Sequence, residues 1–119
     1  MTAPTGGLKD TLVVFSRAGM GTAEPALQVK LAATWLRLVL EGGDHPGAIC
    51  FYADGVNLAV EGSPVLETLA KLEERGVHLV LCRTCLDFFG LSEKVRVGVV
   101  GGMGDILAAQ AIAAKVISL

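Results

Sequence analysis

Two closely spaced cysteines, Cys82 and Cys85, are the side chains best suited to chemistry in this sequence of 119 residues. They come at the end of Val77–Cys82, an apolar run with the length and composition of a buried strand. The segment after them stops at Gly90 and predicts a short helix. Two thiols between the end of a strand and the start of a helix lie at the carboxyl edge of the sheet. Open α/β proteins have their binding sites at that edge.

The start of a helix favours a thiolate over a thiol, because free N–H groups and the helix dipole stabilise negative charge. Thr84 is predicted to cap the short helix, which makes Cys85 its first residue. This placement favours a functional Cys85 with a pKa below the ~8.5 of a free cysteine. For Cys82 two interpretations stay open, a partner thiol or an ordinary core residue, because unpaired cysteines are often buried. Cys50 lies inside an apolar run and is predicted to be a core residue.

Composition excludes several classes of protein. Hydrophobic residues make up 52% of the sequence, the formal net charge is -2, and no basic run suggests nucleic acid as a partner. No apolar run reaches the ~18–20 residues of a membrane span. The first residues lack the apolar core of a signal peptide. We therefore expect a cytoplasmic protein, not bound to membranes, whose cysteines stay reduced.

The spacing of cysteines, histidines and glycines predicts neither a metal site nor a cofactor. Three cysteines and two scattered histidines do not have zinc-site spacing. The pair Gly19 and Gly21 lacks the third glycine of a dinucleotide motif. His45 lies in a loop and His78 at a strand start, so a Cys–His catalytic pair with Cys85 is not expected.

The order of apolar runs predicts a single three-layer α/β/α domain with a parallel sheet of five strands, similar to flavodoxin-like and Rossmann-like topologies. The predicted domain covers residues 10–119 and follows a disordered lead at residues 1–9. Strands are predicted at 10–16, 48–53, 77–82, 95–100 and 116–119, and longer helices at 22–41, 63–76 and 106–114. The connection 56–62 is unusually apolar, and it is either a functional loop or a flap that packs on a neighbour.

Turns that follow parallel strands meet at one edge of the sheet. We therefore expect a substrate-binding group beside the two thiols, consisting of Gly19, Gly21, Asp54, Thr84 and Gly102. Glycine turns let backbone N–H groups approach a ligand closely, which is why three glycines belong to this prediction.

Three blocks of the sequence, 51–66, 72–77 and 82–91, resemble the DsrE/DsrF-like family. The most specific block is Cys82-Arg83-Thr84-Cys85-Leu86-Asp87-Phe88, and its nearest likeness is the C-terminal domain of YedF-type, sulfurtransferase-like proteins linked to selenium metabolism. The resemblance covers nearly the whole chain from about Asp10. It implies a five-stranded α/β/α domain, commonly oligomeric, with a persulfide on a cysteine that matches Cys85.

The resemblance and the thiol pair together predict a sulfur carrier. Cys85 would hold a sulfane sulfur, Cys82 would resolve the persulfide as a disulfide, and a sulfur-donor or acceptor protein would be the partner. One alternative is a non-catalytic oligomeric scaffold with structural cysteines, and another is a dithiol redox protein. We also expect a homo-oligomer, a trimer or a higher multiple. Three apolar segments that a monomer would struggle to bury suggest it: the helix Ile106–Ala114, the first helix and the loop Val56–Val60.

Overall fold

The computed structural model describes residues 7–119 as one α/β domain with a five-stranded sheet. The elements are β1 Thr11–Phe15, α1 Pro25–Gly42, β2 Ala48–Phe51, a 3₁₀ helix Ala53–Ala59, α2 Leu66–Glu74, β3 His78–Cys82, α3 Arg83–Phe89, β4 Val99–Gly101, α4 Met103–Ile112 and β5 Lys115–Ser118. The expected lead at residues 1–9 lies mostly outside the described residues. Within them, the Leu8 N–H donates to the Asp44 carboxylate.

The sheet has the order β4-β3-β2-β1-β5, and all four neighbouring pairs are parallel. This confirms the predicted fold class. The run β3-β2-β1 is that of a Rossmann-type sheet, and the order reverses between β1 and β5. Because crossovers are right-handed, α1 and α2 cover one face and α4, which returns across the sheet, covers the other. None of the helices in the described part of the chain is long and apolar enough to span a membrane.

Both faces of the central strands are buried, which explains their continuous apolar runs. On the α1 and α2 face, the Phe15 and Phe51 rings stack with centroids 5.8 Å apart, and Trp35 meets Phe15 edge-on at 6.3 Å. On the α4 face, a second core cluster consists of Leu12, Val14, Cys50, Val80, Cys82 and Ile106. The expected core position of Cys50 is confirmed, since its side chain is fully buried.

The apolar connection after β2 folds into the 3₁₀ helix and packs into this chain's own core. Val56, Leu58 and Val60 are buried there. Of the two interpretations of this segment, packing is the one that the structure shows, and the neighbours it packs on belong to this chain. The helix lies against the end of β1, where the Tyr52 N–H donates to the Phe15 carbonyl oxygen at 3.2 Å.

Gly55 makes this close packing possible. A methyl group on Gly55 would lie 1.9 Å from the carbonyl oxygen of Phe15, well inside van der Waals contact. Only a residue without a side chain fits between the 3₁₀ helix and the strand.

Two helices begin later than the sequence predicts. Thr22 does not cap α1, which starts at Pro25, because the Thr22 hydroxyl instead contacts the Arg17 guanidinium. Before α2, the Ser63 hydroxyl accepts a hydrogen bond from the Val65 N–H at 3.2 Å and closes a turn outside the helix.

The fourth strand is shorter than predicted. Val95 leaves the parallel sheet to form an antiparallel bridge with Val60. Gly98 then takes a left-handed conformation, φ 80°, so that regular pairing with β3 begins only at Val99. The chain between Val95 and Gly98 therefore belongs to the wall around the 3₁₀ helix and not to the sheet.

We expect Gly55→Ala to destabilise the fold by about 1–3 kcal/mol, the range of overpacking substitutions. The added methyl group must push the 3₁₀ helix away from the Phe15 carbonyl oxygen. Denaturant unfolding measures the change. The control is Gly42→Ala, at the end of α1, where a methyl group meets nothing within 4 Å. Equal stability of both variants would contradict the assigned packing.

Candidate functional site

The two thiols lie at the junction of β3 and α3. Cys82 is both the last residue of β3 and the N-cap of α3, so the helix begins at Arg83. Cys85 is therefore its third residue and not its first, and the expectation that Thr84 caps the helix is wrong. The cap falls on Cys82 because its extended backbone, φ -69° and ψ 119°, is followed directly by helical residues.

The junction is at the carboxyl end of β3, next to β2. It is not at the switch point between β1 and β5, where the strand order reverses. The thiols therefore lie at the predicted edge of the sheet, but the elements beside them are the end of β2 and the 3₁₀ helix.

Exposure separates the three cysteines. Cys50 and Cys82 are both 0% exposed and belong to the core under α4. Cys85 is partly exposed and packs against both core clusters. It is thus the only one of the three thiols that a partner can approach from solvent.

A backbone group holds the accessible thiol. The Ala53 N–H donates to Cys85 Sγ at a distance of 3.0 Å. Ala53 has a left-handed backbone, φ 50°, and it is the only non-glycine residue with positive φ in the described range 7–119. Such a conformation costs an alanine about 1–2 kcal/mol. The sequence does not reveal this contact, because a backbone donor leaves no signature in the residue type.

Burial raises the pKa of the Cys85 thiol. The Ala53 N–H lowers that pKa, while a hydrogen bond and the charge of Cys82, and then the carboxylate of Asp54, raise it further. The expectation of a pKa below that of a free cysteine is wrong, because desolvation and two neighbouring acidic groups outweigh one backbone donor. For Cys50, burial raises the pKa to about 11.

The other predicted contact residues take different places. Asp54 lies in the 3₁₀ helix, exposed, near enough to act on the pKa of Cys85. Thr84 is exposed in the first turn of α3. Gly21 is exposed, with a left-handed φ of 78°. Contact of these residues with a substrate stays a prediction.

The remaining two glycines have structural partners inside the chain. Gly19 is buried against α1, where an added methyl group would lie 2.4 Å from the backbone of Gln28. Its N–H donates to the Arg17 carbonyl at 2.8 Å. The Gly102 N–H donates to the Asp105 carboxylate at 2.9 Å and so caps α4. Both N–H groups are engaged before any ligand arrives.

In the described part of the chain, histidine and acidic side chains form no metal site, and His78 is not placed to act as a general base for the two thiols. His78 is exposed at the first residue of β3, the end opposite Cys82. Across residues 7–119, no group of three or more histidine, cysteine, aspartate or glutamate side chains is placed to hold a metal ion. The groups that act on Cys85 are thus Ala53, Cys82 and Asp54.

Comparison with protein families gives a match over nearly all of the chain. The model described as the DsrE/DsrF-like family matches residues 9–119. A comparison with curated proteins gives no significant match.

Several solved structures have the same fold. The protein of unknown function MTH1491 from Methanobacterium thermoautotrophicum superposes with a TM-score of 0.68 and 18% identity, over 92% of this chain and 97% of that one. The ychN protein from E. coli gives 0.64 and 20%, over 94% and 99%. The protein of unknown function BT1422 from Bacteroides thetaiotaomicron gives 0.65 and 17%, over 92% and 95%. At these identities the likeness shows the fold alone.

We expect Cys82→Ala to make Cys85 more reactive at neutral pH. The substitution removes two effects that raise the pKa of Cys85, so its thiolate fraction increases and the pH–rate profile of alkylation moves to lower pH. Peptide-resolved mass spectrometry after iodoacetamide treatment measures the rate. Cys50→Ala, in the same core cluster, is the control and leaves the profile unchanged. A midpoint at or above that of the wild type in Cys82→Ala would refute the assigned coupling.

Proposed function

The chain belongs to the DsrE/DsrF-like family, and on that premise we propose that it is a sulfur carrier that holds a sulfane sulfur as a persulfide on Cys85. One observation supports the choice of residue. Of the three thiols, only that of Cys85 combines partial exposure with a place at the carboxyl edge of the sheet. Sulfur relay is the activity associated with the family.

Loading begins with the Cys85 thiolate, which attacks the outer sulfur of a donor persulfide. The new bond joins Cys85 Sγ to that sulfur, the donor's S–S bond breaks, and the donor leaves as a thiolate. Unloading repeats the exchange, since an acceptor thiolate takes the outer sulfur and Cys85 is released as a thiolate. The two exchanges involve no net oxidation or reduction, so no redox cofactor is required.

A protein is the proposed donor or acceptor. Phe88 lies one helical turn after Cys85 and is 85% exposed, and Phe89 beside it is 40% exposed. Exposed aromatic side chains next to a nucleophile favour contact with a partner's surface. The proposal places the exchange in the cytoplasm, where thiols stay reduced. The likeness to YedF-type proteins adds selenium as an alternative cargo.

Cys82 gives the carrier a second outcome. Its thiol is near enough to raise the pKa of Cys85, so a Cys82 thiolate can attack Cys85 Sγ in the persulfide and expel the outer sulfur as hydrosulfide. This step oxidises the two cysteines to a disulfide and reduces the sulfane sulfur, and an external thiol must then restore the pair. The same contact also favours a second candidate function, a dithiol redox protein that cycles between these thiol and disulfide states without carrying sulfur.

Sulfur mass distinguishes the two candidates. After treatment with a low-molecular-weight persulfide, the carrier gains one sulfur atom in the wild type, in Cys50→Ala and in Cys82→Ala, but not in Cys85→Ser. A thiol acceptor then removes the added mass. Selenium loading would give a distinct, larger increment. A chain whose wild type forms the Cys82–Cys85 disulfide and whose Cys82→Ala variant gains no sulfur would be a redox protein, and one that does neither would be a scaffold.

We further propose that the protein is a homo-oligomer. The 3₁₀ helix is buried within the chain and gives no support for oligomerisation. Helix α4 does support it, because Leu107 and Ile112 are 63% and 86% exposed. In α1, Leu31 and Leu38 are also exposed. These apolar side chains need a cover that the described chain does not supply. A trimer is the favoured count on the resemblance to the family alone.

Light scattering at micromolar concentration tests the assembly. We expect a mass above that of one chain for the wild type, and a lower mass for Ile112→Glu, because a charge on that face is costly to bury. Gln110→Glu, an exposed polar position on the same helix, is the control and should keep the mass. A monomeric wild type would end the oligomer proposal.

A further inference from the structure

We propose that the backbone N–H of Ala53, held in a left-handed conformation by the contact of Gly55 with β1, stabilises the Cys85 thiolate. The inference rests on the proposed function only for the use made of that thiolate, which is sulfur exchange. Ala53 thereby becomes a group of the site that contacts the reacting sulfur, and Gly55 becomes a positioning residue that acts through Ala53.

The Ala53 N–H is in direct contact with the sulfur of Cys85. The Ala53 nitrogen lies 3.0 Å from Cys85 Sγ, and the donor and the acceptor are far apart in sequence, in the 3₁₀ helix and in α3. Sulfur is a weak acceptor as a thiol and a strong one as a thiolate, so this N–H favours the anion. The contact is therefore worth more when Cys85 is ionised than when it is protonated.

The donor residue, Ala53, has a strained backbone conformation. Alanine avoids the left-handed region, yet Ala53 has a φ of 50° although glycine, which tolerates it, is its second neighbour at position 55. A strained residue persists where its surroundings determine its conformation from several sides. Strain of this kind collects at functional sites, and here it points the N–H at the one accessible thiol.

Contacts with β1 on both sides of Ala53 hold the donor in place. On one side of Ala53, the Tyr52 N–H donates to the Phe15 carbonyl oxygen. On the other side, Gly55 touches the same oxygen so closely that no side chain fits. Tyr52 and Gly55, which lie on either side of Ala53 in the chain, are thus both held against β1, a buried strand, so the Ala53 N–H cannot turn away from Cys85 without disturbing this packing.

The titratable neighbours of Cys85 act in the opposite direction. Cys82 from β3 and Asp54 from the 3₁₀ helix both raise the pKa of Cys85, as does its burial, and the Ala53 N–H is the group that lowers it. On its own helix, Arg83 and Asp87 are exposed to solvent. Loss of the Ala53 contact therefore leaves the thiolate opposed by burial and by two acidic groups.

Nuclear magnetic resonance of the intact wild-type chain tests the contact without disturbing the fold. We expect the Ala53 amide proton to move downfield as pH rises, with the same midpoint as the Cys85 Cβ resonance. In Cys85→Ala this titration is lost, and in Cys82→Ala it persists at lower pH. An Ala53 amide that does not follow Cys85 in the wild type, or that titrates unchanged in Cys85→Ala, would overturn the inference.

A displacement variant tests the positioning role of Gly55. Gly55→Ala should alkylate at Cys85 about tenfold more slowly at neutral pH, the scale of losing one hydrogen bond to a charged acceptor. The control is Gly47→Ala, whose methyl group would lie 2.9 Å from the Lys9 carbonyl oxygen at the opposite edge of the sheet, and its rate stays that of the wild type. A folded Gly55→Ala with the wild-type pH profile contradicts the role, and if that variant does not fold, the resonance titration decides.

The outcome is separable from that of the proposed function. A coupled titration of Ala53 and Cys85 in a chain that gains no sulfur supports the contact and refutes the carrier. Sulfur loading on Cys85 without that coupling supports the carrier and refutes the role of Ala53.

Discussion

One backbone carbonyl, that of Phe15 at the end of β1, determines the position of the 3₁₀ helix at the carboxyl edge of the sheet. It accepts a hydrogen bond from Tyr52 and lies against Gly55, and these two contacts hold the start of the 3₁₀ helix against β1. In this position, Val56 and Leu58 of the helix are buried in the core. The same packing points the Ala53 N–H at Cys85, so the core and the candidate site share one constraint.

The balance of forces on Cys85 favours a protonated thiol at rest. Burial and the neighbours Cys82 and Asp54 oppose ionisation more strongly than the Ala53 N–H promotes it. Susceptibility to oxidation follows thiolate character and exposure. A partly buried thiol that stays protonated is therefore less susceptible to oxidation than a thiolate in the same place would be, and it is also a slower nucleophile.

Much of the fold follows from the sequence, because buried parallel strands must be continuous apolar runs. The runs that became β1, β2 and β3 are found almost at their true bounds, and the burial of Cys50 follows from its place within one of them. The edge elements are less predictable. The short β4 depends on the left-handed turn at Gly98 and on a bridge between Val60 and Val95, contacts that join distant parts of the chain.

The site was predictable only in part, for a related reason. The pair Cys82 and Cys85 is visible as a motif, and its position at a strand end follows from the runs around it. The cap of α3 is not visible, because it depends on the backbone angles of Cys82, a residue with no capping side chain. The sign of the pKa shift of Cys85 depends on burial and on Asp54, which only the packing of the 3₁₀ helix brings near.

Because β4 is short, this edge of the sheet is a poor template for fibrillar association. An outer strand presents a row of unpaired N–H and C=O groups on which a foreign strand can grow, and β4 is such a strand, with Val99 and Val100 exposed. Its extended run covers only 3 residues, because Gly98 bends the chain away before it and Gly102 starts α4 after it. A strand of this length offers a foreign strand few backbone hydrogen bonds, which weakens pairing at this edge of the sheet although Val99 and Val100 are exposed.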